Sequence, residues 1–173
     1  KNLVGFVNGI HEGEAFLCGL VHDIGKLVML DRNNKLYRDV LLRAGSGEKS
    51  FVELEDETFG LNHVEVGQWV AERWNFPEEV VQAVARHHRP WPQRHGNLQR
   101  FNERWLLVKI ADTLVHASGI GHPGSYSGLR MRAQGEIERC KLELGTSIER
   151  LNEVIKKNES EFEKNFGMYE DDL

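Results

Sequence analysis

The stretch Glu14-Ala-Phe-Leu-Cys-Gly-Leu-Val-His-Asp-Ile-Gly-Lys-Leu-Val-Met-Leu-Asp31 decides the fold class. Phe16, Leu20, Ile24 and Leu27 recur at helical spacing, with Leu17, Val21 and Val28 beside them, and this pattern predicts one core helix over 14–31. The same period continues outward. A shorter helix is predicted through Leu36, Tyr37, Val40 and Leu41, stopping at Gly45-Ser46-Gly47, and another over Phe51 to Phe59. Asn62 with Glu65 three residues on reads as a capping box, opening a helix with the stripe Val66, Gly67, Val70, Ala71 and Trp74. Pro77, followed by Glu78 and Glu79 at the positive end of a helix dipole, starts the next, which stops before Pro90. A helix from Leu98 to Ala117 carries Trp105, Val108, Leu114 and Val115, and the Gly- and Ser-rich stretch Ser118 to Gly128 is a loop. Thr146 and Glu149 predict a capping box for a last helix through Leu151, Ile155, Phe162 and Phe166, with Glu170-Asp171-Asp172 fraying. No alternating strand and no fixed-period repeat interrupts this order, so the fold class is all-α.

Composition narrows the function. The chain has 173 residues, 40% hydrophobic and 28% charged, enough for one core and one domain over 1–173. Its core segment is 14–117, with C-terminal helices over 129–167. It begins at Lys1 and reads as a piece of a longer protein. No run approaches a membrane span and no secretory leader is visible, so a cytoplasmic setting is expected. A net charge of −5 argues against DNA or anionic lipid as a partner. Cys18 and Cys140 are too few for a disulfide framework or a four-thiolate zinc site. Any metal here needs His and carboxylate ligands.

Several helices place such residues on the face that should be buried. His63 shares the stripe of Val66 and Gly67, His87 and His88 follow Val80 and Val84, and Asp112 lies between Val108 and Val115. On the 14–31 segment, His22 and Lys26 line up with Ala15 and Gly19, and Asp23 flanks them. Burying even a milder polar group without a partner costs roughly 1–3 kcal/mol, so Asp23 and Asp112 need partners, and a shared cation would serve. Imidazole nitrogen with carboxylate oxygen suits zinc, manganese, iron or nickel. A single histidine on an apolar stripe is more often a hydrogen-bonded core residue than a ligand, and the joint placement of several is what favours a site.

Ala15-Phe-Leu-Cys-Gly-Leu-Val-His-Asp-Ile-Gly-Lys26 resembles the signature of the HD superfamily of metal-dependent phosphohydrolases. More closely it is similar to the HD-related output domain, HDOD, a bacterial signalling module. Phe59-Gly-Leu-Asn-His-Val-Glu-Val-Gly67, Glu72-Arg-Trp-Asn-Phe-Pro-Glu-Glu79, Ala83-Val-Ala-Arg-His-His88 and Lys109-Ile-Ala-Asp112 extend the resemblance over Glu14 to Ala117. It implies an HD-type helical bundle in which His22 and Asp23 are paired metal ligands and Asp112 closes the site from a distant helix. His63, His87 and His88 match positions that hold a second metal in the dinuclear branch. Lys26 would face phosphate, leaving Asp23 and Lys26 as the catalytic candidates.

Two departures limit the transfer. The superfamily carries a further ligand histidine one helix upstream of the His-Asp pair; this chain begins too late to contain it, and His11 is a poor substitute. After His88, Arg89-Pro-Trp-Pro-Gln-Arg-His95 lacks the glycine-tyrosine-proline stretch of the cyclic-dinucleotide phosphodiesterases, so that specificity does not carry over.

The HDOD resemblance implies a regulatory module, attached to other signalling domains or bound to a signalling partner, with one or two divalent ions retained, or none. The alternative is metal-dependent hydrolysis of a nucleotide or other phosphate ester, in which the ion activates water and Lys26 steadies developing charge. Arginines between Arg86 and Arg104, with Trp91 between two prolines as a stacking surface, would suit a phosphate or nucleotide ligand; the plainer reading is a helix C-terminus and solvated charges. A homo-oligomer is compatible with either function.

Overall fold

The computed structural model describes residues 2–7, 9–92, 104–119 and 126–170, the stretch 165–170 for its backbone alone. Among the described residues a 3-10 turn, Val4–Phe6, precedes ten α-helices: α1 Glu12–Val21, α2 Ile24–Arg32, α3 Asn34–Ala44, α4 Phe51–Phe59, α5 His63–Arg73, α6 Glu78–Arg86, α7 Arg104–Ser118, α8 Ser127–Gly135, α9 Ile137–Leu144 and α10 Ile148–Glu170. The described residues contain no strand, as the unbroken helical period predicts. None of their helices is long and apolar enough to cross a membrane.

Where periodicity predicts one helix over 14–31, the chain forms two. α1 stops at Val21, His22 and Asp23 make a turn, and α2 starts at Ile24; Asp23 takes φ −100° and ψ 14°, the bridge region where turn and site residues gather. The predicted stripe faces outward, with Phe16 57%, Leu20 67% and Leu27 63% exposed. Val21 of that stripe is buried as expected, and with it Ala15 and Cys18, then Gly25 and Met29, which the stripe did not include. Close backbone approach explains the inversion. A Cβ on Gly25 would stand 2.0 Å from the His63 carbonyl oxygen and 2.8 Å from the Gly67 nitrogen. Helices that touch backbone to backbone leave no room for leucine between them, so α2 lies flat on α5 through glycines.

Three apolar clusters hold the remaining elements. Leu3, Val7 and Ile10 pack with Ala15 of α1, with Leu106, Leu107, Ile110 and Leu114 of α7, and with Cys140, Leu144 and Leu151 of α9 and α10. Cys18 and Val21 meet Ala71 of α5, Val108 of α7 and Val80, Val81, Ala83 and Val84 of α6. Val40, Ala44, Phe51 and Leu54 close the α3–α4 hairpin, with Tyr126 and Leu129 against it.

Capping sets the boundaries. Asn62 accepts from the Val64 and Glu65 nitrogens while Glu65 returns to the Asn62 nitrogen, so the predicted box on α5 is present. Ser50 and Glu53 make a second box on α4. On α10 the cap is Ser147, whose hydroxyl accepts from the Arg150 nitrogen; the predicted Thr146 lies one residue too early. Trp74 and Val115, read as stripe residues, are 59% and 40% exposed. Residues 98–103 of the predicted Leu98 to Ala117 helix lie outside the described residues, as do 120–125 of the predicted loop, whose end is the first turn of α8.

The α2–α5 contact predicts a sharp contrast between two glycine substitutions. Gly25→Ala should destabilise the protein by about 1–3 kcal/mol, because a methyl group there strikes backbone that cannot yield. Gly19→Ala meets nothing within 4 Å and should be neutral or stabilising by up to about 1 kcal/mol from helix propensity. Denaturant melts of both variants check this; equal effects would contradict it.

Candidate metal centre

The turn between α1 and α2 puts His22 and Asp23 at the point where α5, α6 and α7 approach. Asp23 is central. Its Oδ1 lies 3.4 Å from His63 Nε2 and 3.5 Å from His87 Nε2, and its Oδ2 lies 3.4 Å from His22 Nε2 and 2.6 Å from Lys26 Nζ. His87 and His88 extend the end of α6, and their rings stand 4.2 Å apart; the His63 ring is 4.9 Å from that of His88. Asp23, His63, His87 and His88 each offer a ligand atom, and these atoms lie within 4.8 Å of one another.

The orientation of the rings carries the chemistry. His22 Nδ1 is 2.7 Å from the Gly19 carbonyl, His87 Nδ1 is 2.7 Å from the Val84 carbonyl, and His63 Nδ1 is 2.5 Å from Glu55 Oε2. A carbonyl and a carboxylate only accept, so each Nδ1 donates and each neutral ring turns its Nε2 lone pair inward. Those three Nε2 atoms and Asp23 Oδ1 are buried with no hydrogen-bond partner. Buried polar atoms are almost always satisfied; Asp23, His63 and His87 belong to the converging group of four, the latter two imidazoles are braced through their other nitrogen, and such a donor set would suit a divalent cation, with His22 standing outside it. The residues present fit such an ion.

The other expected site residues stand at the edge. Asp112 Oδ1 is 3.8 Å from His22 Nε2 and 3.1 Å from His116 Nε2, so it reaches the cluster through His22 and lies outside the group of four. Lys26 pairs with Asp23 and lies over the Phe51 ring. Lys26 and Asp112 line a cavity of about 180 Å³ that opens beside His87 and His88 and is bordered by Lys109, His116, Arg132 and Glu136. A larger cleft, about 550 Å³, runs between α1 and α7 away from the histidines. His11 is exposed at the start of α1 and takes no part. Trp91, expected as a free stacking surface, is occupied: Lys109 covers its ring and its Nε1–H donates to Glu136. Arg104 pairs with Glu14, and Arg94 and Arg100 lie outside the described residues.

Sequence reasoning missed Glu55 and His116. Glu55 is fully buried, accepting from the Tyr37 hydroxyl, the His63 nitrogen and His63 Nδ1. Its signal was present, a polar residue beside Leu54 on the apolar face of α4, but the acidic run from Glu53 to Glu57 hid it. His116 follows Asp112 by one helical turn.

Charge is finely divided here. Burial alone would raise Asp23, but His87, Lys26, His22 and His63 hold it far below the ordinary carboxylate range. Asp112 is also depressed, its burial outweighed by His116 and His22. Burial likewise opposes ionisation of Glu55, and His63 and Tyr37 overcome it. Burial lowers His63. It lowers His88 too, with His87 and His63 adding repulsion, though the open edge of that ring lets water moderate the effect. Burial works to lower His22 as well, but Asp112 and Asp23 raise it above the ordinary imidazole value.

The all-helical bundle gathers histidines around one aspartate, an arrangement that a divalent ion would fit. The HDOD domain model matches residues 1–90, and the chain belongs to the HDOD family, an HD-related output module. The match includes His22, Asp23, His63, His87 and His88 and stops short of Asp112. An uncharacterized protein of Treponema pallidum (strain Nichols) is 28% identical over 79 residues, which is 43% of this chain and 15% of that protein. The chain therefore spans a small part of that relative's length. No solved structure matches.

The sign of the acid response follows from these directions. His63 and His88 titrate lower when folded, so their contribution to stability is full above the ordinary value of 6.5 and is lost as pH falls below it. His22 acts oppositely, stabilising below 6.5 and losing that effect as pH rises through its raised value. Asp23, Asp112 and Glu55 stabilise above their ordinary values of 3.8, 3.8 and 4.5 and lose this below them. The chelator-treated protein should therefore begin to lose melting temperature below about pH 6.5 and lose it more steeply below about pH 4. Circular-dichroism melts across this range check it; a flat profile down to pH 4 would contradict it.

Proposed function

We propose that this chain is a regulatory output module of a signalling protein that holds a divalent cation, iron, manganese, zinc or nickel, between Asp23, His63, His87 and His88. The observation that supports it most is the set of buried, partnerless atoms His63 Nε2, His87 Nε2 and Asp23 Oδ1 within that group, both imidazoles being already braced through Nδ1. In this reading Asp23 supplies the anionic oxygen from the α1–α2 turn, His63 supplies nitrogen from α5, and His87 and His88 supply it from the end of α6. His22 and Asp112 stand ready at the edge. The ligands come from three separate parts of the chain, so occupancy ties α2, α5 and α6 together, a change that an attached domain or a signalling partner can read.

A second reading, hydrolysis of a phosphate ester, is favoured by one specific feature. Lys26, Lys109 and Arg132 border the cavity beside the histidines, an arrangement suited to an anionic group. A bound cation would lower the pKa of its water and polarise a phosphoryl oxygen. Lys26, held 2.6 Å from Asp23, would balance negative charge on the carboxylate and on the incoming group.

Elemental analysis of the full-length protein and its Asp23→Ala variant tests the first reading. The expected result is near-stoichiometric metal in the wild type and at least a tenfold loss in the variant; equal metal in both would overturn it. A phosphate-release panel of nucleotides and cyclic dinucleotides tests the second. Metal-dependent turnover abolished by Asp23→Ala would replace the regulatory reading with an enzymatic one, and absence of turnover in a metal-loaded protein would remove the hydrolytic reading.

A further inference from the structure

The three braced imidazoles are not braced alike. His22 and His87 stand at the C-terminal caps of α1 and α6, where each ring reaches back to the carbonyl three residues before it, Gly19 and Val84. Their own helices supply the acceptor. His63 is the first residue of α5, so no preceding turn of its helix exists to accept its Nδ1–H, and the acceptor has to come from elsewhere.

It comes from Glu55 on α4. One oxygen, Oε2, accepts from both the His63 backbone nitrogen at 2.8 Å and His63 Nδ1 at 2.5 Å; the other, Oε1, accepts from the Tyr37 hydroxyl of α3 at 2.6 Å. Tyr37, Glu55 and His63 are at most 1% exposed. Glu55 caps the one first-turn donor that the Asn62 and Glu65 box leaves open, the His63 N–H, but capping does not call for its second bond, to His63 Nδ1. Burying a carboxylate is costly unless its bonds are all made. Here they are, and the tyrosine directs which oxygen faces the ring.

We propose that Glu55, steered by Tyr37, is a positioning residue that locks His63 in the Nδ1–H form, so that the α3–α4 hairpin sets how tightly the centre holds its cation. This rests on the metal-centre reading above for its affinity consequence, while the tautomer itself is a property of the metal-free chain. Loss of such an outer partner typically weakens metal binding about 10–100-fold. The shared oxygen also fixes the ring relative to the α5 backbone, so motion of the hairpin moves the ligand atom.

Two variants and two readouts test it. Glu55→Leu removes the acceptor. In Glu55→Gln the amide oxygen still accepts the His63 proton and the amide nitrogen can donate to Tyr37, so the geometry survives without the charge. Imidazole ¹⁵N NMR of the metal-free, full-length protein should show His63 as Nδ1–H in the wild type and in Glu55→Gln, and as Nε2–H or a mixture in Glu55→Leu. Competition titration with Mn²⁺ and Zn²⁺ should show affinity falling about 10–100-fold in Glu55→Leu, with partial rescue in Glu55→Gln. If Glu55→Leu does not fold, Glu55→Gln decides: a retained Nδ1–H form with affinity within about tenfold of the wild type, or a lost Nδ1–H form with weakened binding, supports the proposal, and a lost Nδ1–H form with unchanged affinity, or a retained one with binding lost altogether, overturns it. A wild-type His63 in the Nε2–H form overturns it outright. If the wild type binds neither ion, the metal-centre reading and the affinity claim fall together, while NMR decides separately whether Glu55 orients the ring.

Discussion

The arrangement depends on the unmet valence of one carboxylate. Asp23 satisfies Oδ2 with Lys26 but presents Oδ1 to two imidazole nitrogens, His63 Nε2 and His87 Nε2, that have no proton to give while the rings are neutral. Two lone pairs facing an anionic oxygen at about 3.5 Å repel one another unless a positive charge lies between them. A proton on His63 would supply that charge in part, against the burial that holds this ring below the ordinary imidazole value. A divalent ion between them would offset that repulsion.

Packing places that carboxylate. The α1–α2 break turns Asp23 inward, and Gly25, two residues on, lets α2 settle against the start of α5 until the His63 carbonyl would touch an added Cβ. Gly67, one turn further along α5, continues the same flat contact, its own added Cβ lying 2.9 Å from Val84 of α6. Glycine thus brings together the helix that carries Asp23, the helix that carries His63 and the helix that ends in His87 and His88. Small residues in this bundle are the means by which candidate ligands from distant sequence positions come together.

Much of this was legible in the residues themselves. The helical period, the Asn62 and Glu65 capping box and the Pro77 start were readable because local chemistry decides them. His63, His87 and His88 were visible as polar interruptions of apolar stripes. The break at His22 and Asp23 was not, because apolar residues continue at helical spacing on both sides of it and period alone cannot see a turn that keeps its phase. Burial of the wrong face followed: leucines at 20 and 27 look like core until the glycine contact shows that the bundle has no room for them. Glu55 was hidden for another reason. Its partners, Tyr37 and His63, lie 18 and 8 residues away, and in an acidic run only the tertiary fold distinguishes the buried acid from the solvated ones beside it.

The central claim is that Asp23 and the histidines around it share a cation. Anomalous diffraction from crystals of the full-length protein, collected on both sides of the absorption edges of iron, manganese, nickel and zinc, measures this most directly. The account predicts a peak within bonding distance of Asp23 Oδ1 and of the Nε2 atoms of His63 and His87. A pocket without a peak in protein grown with those ions, with His22 or Lys26 reoriented to satisfy Oδ1, would contradict it.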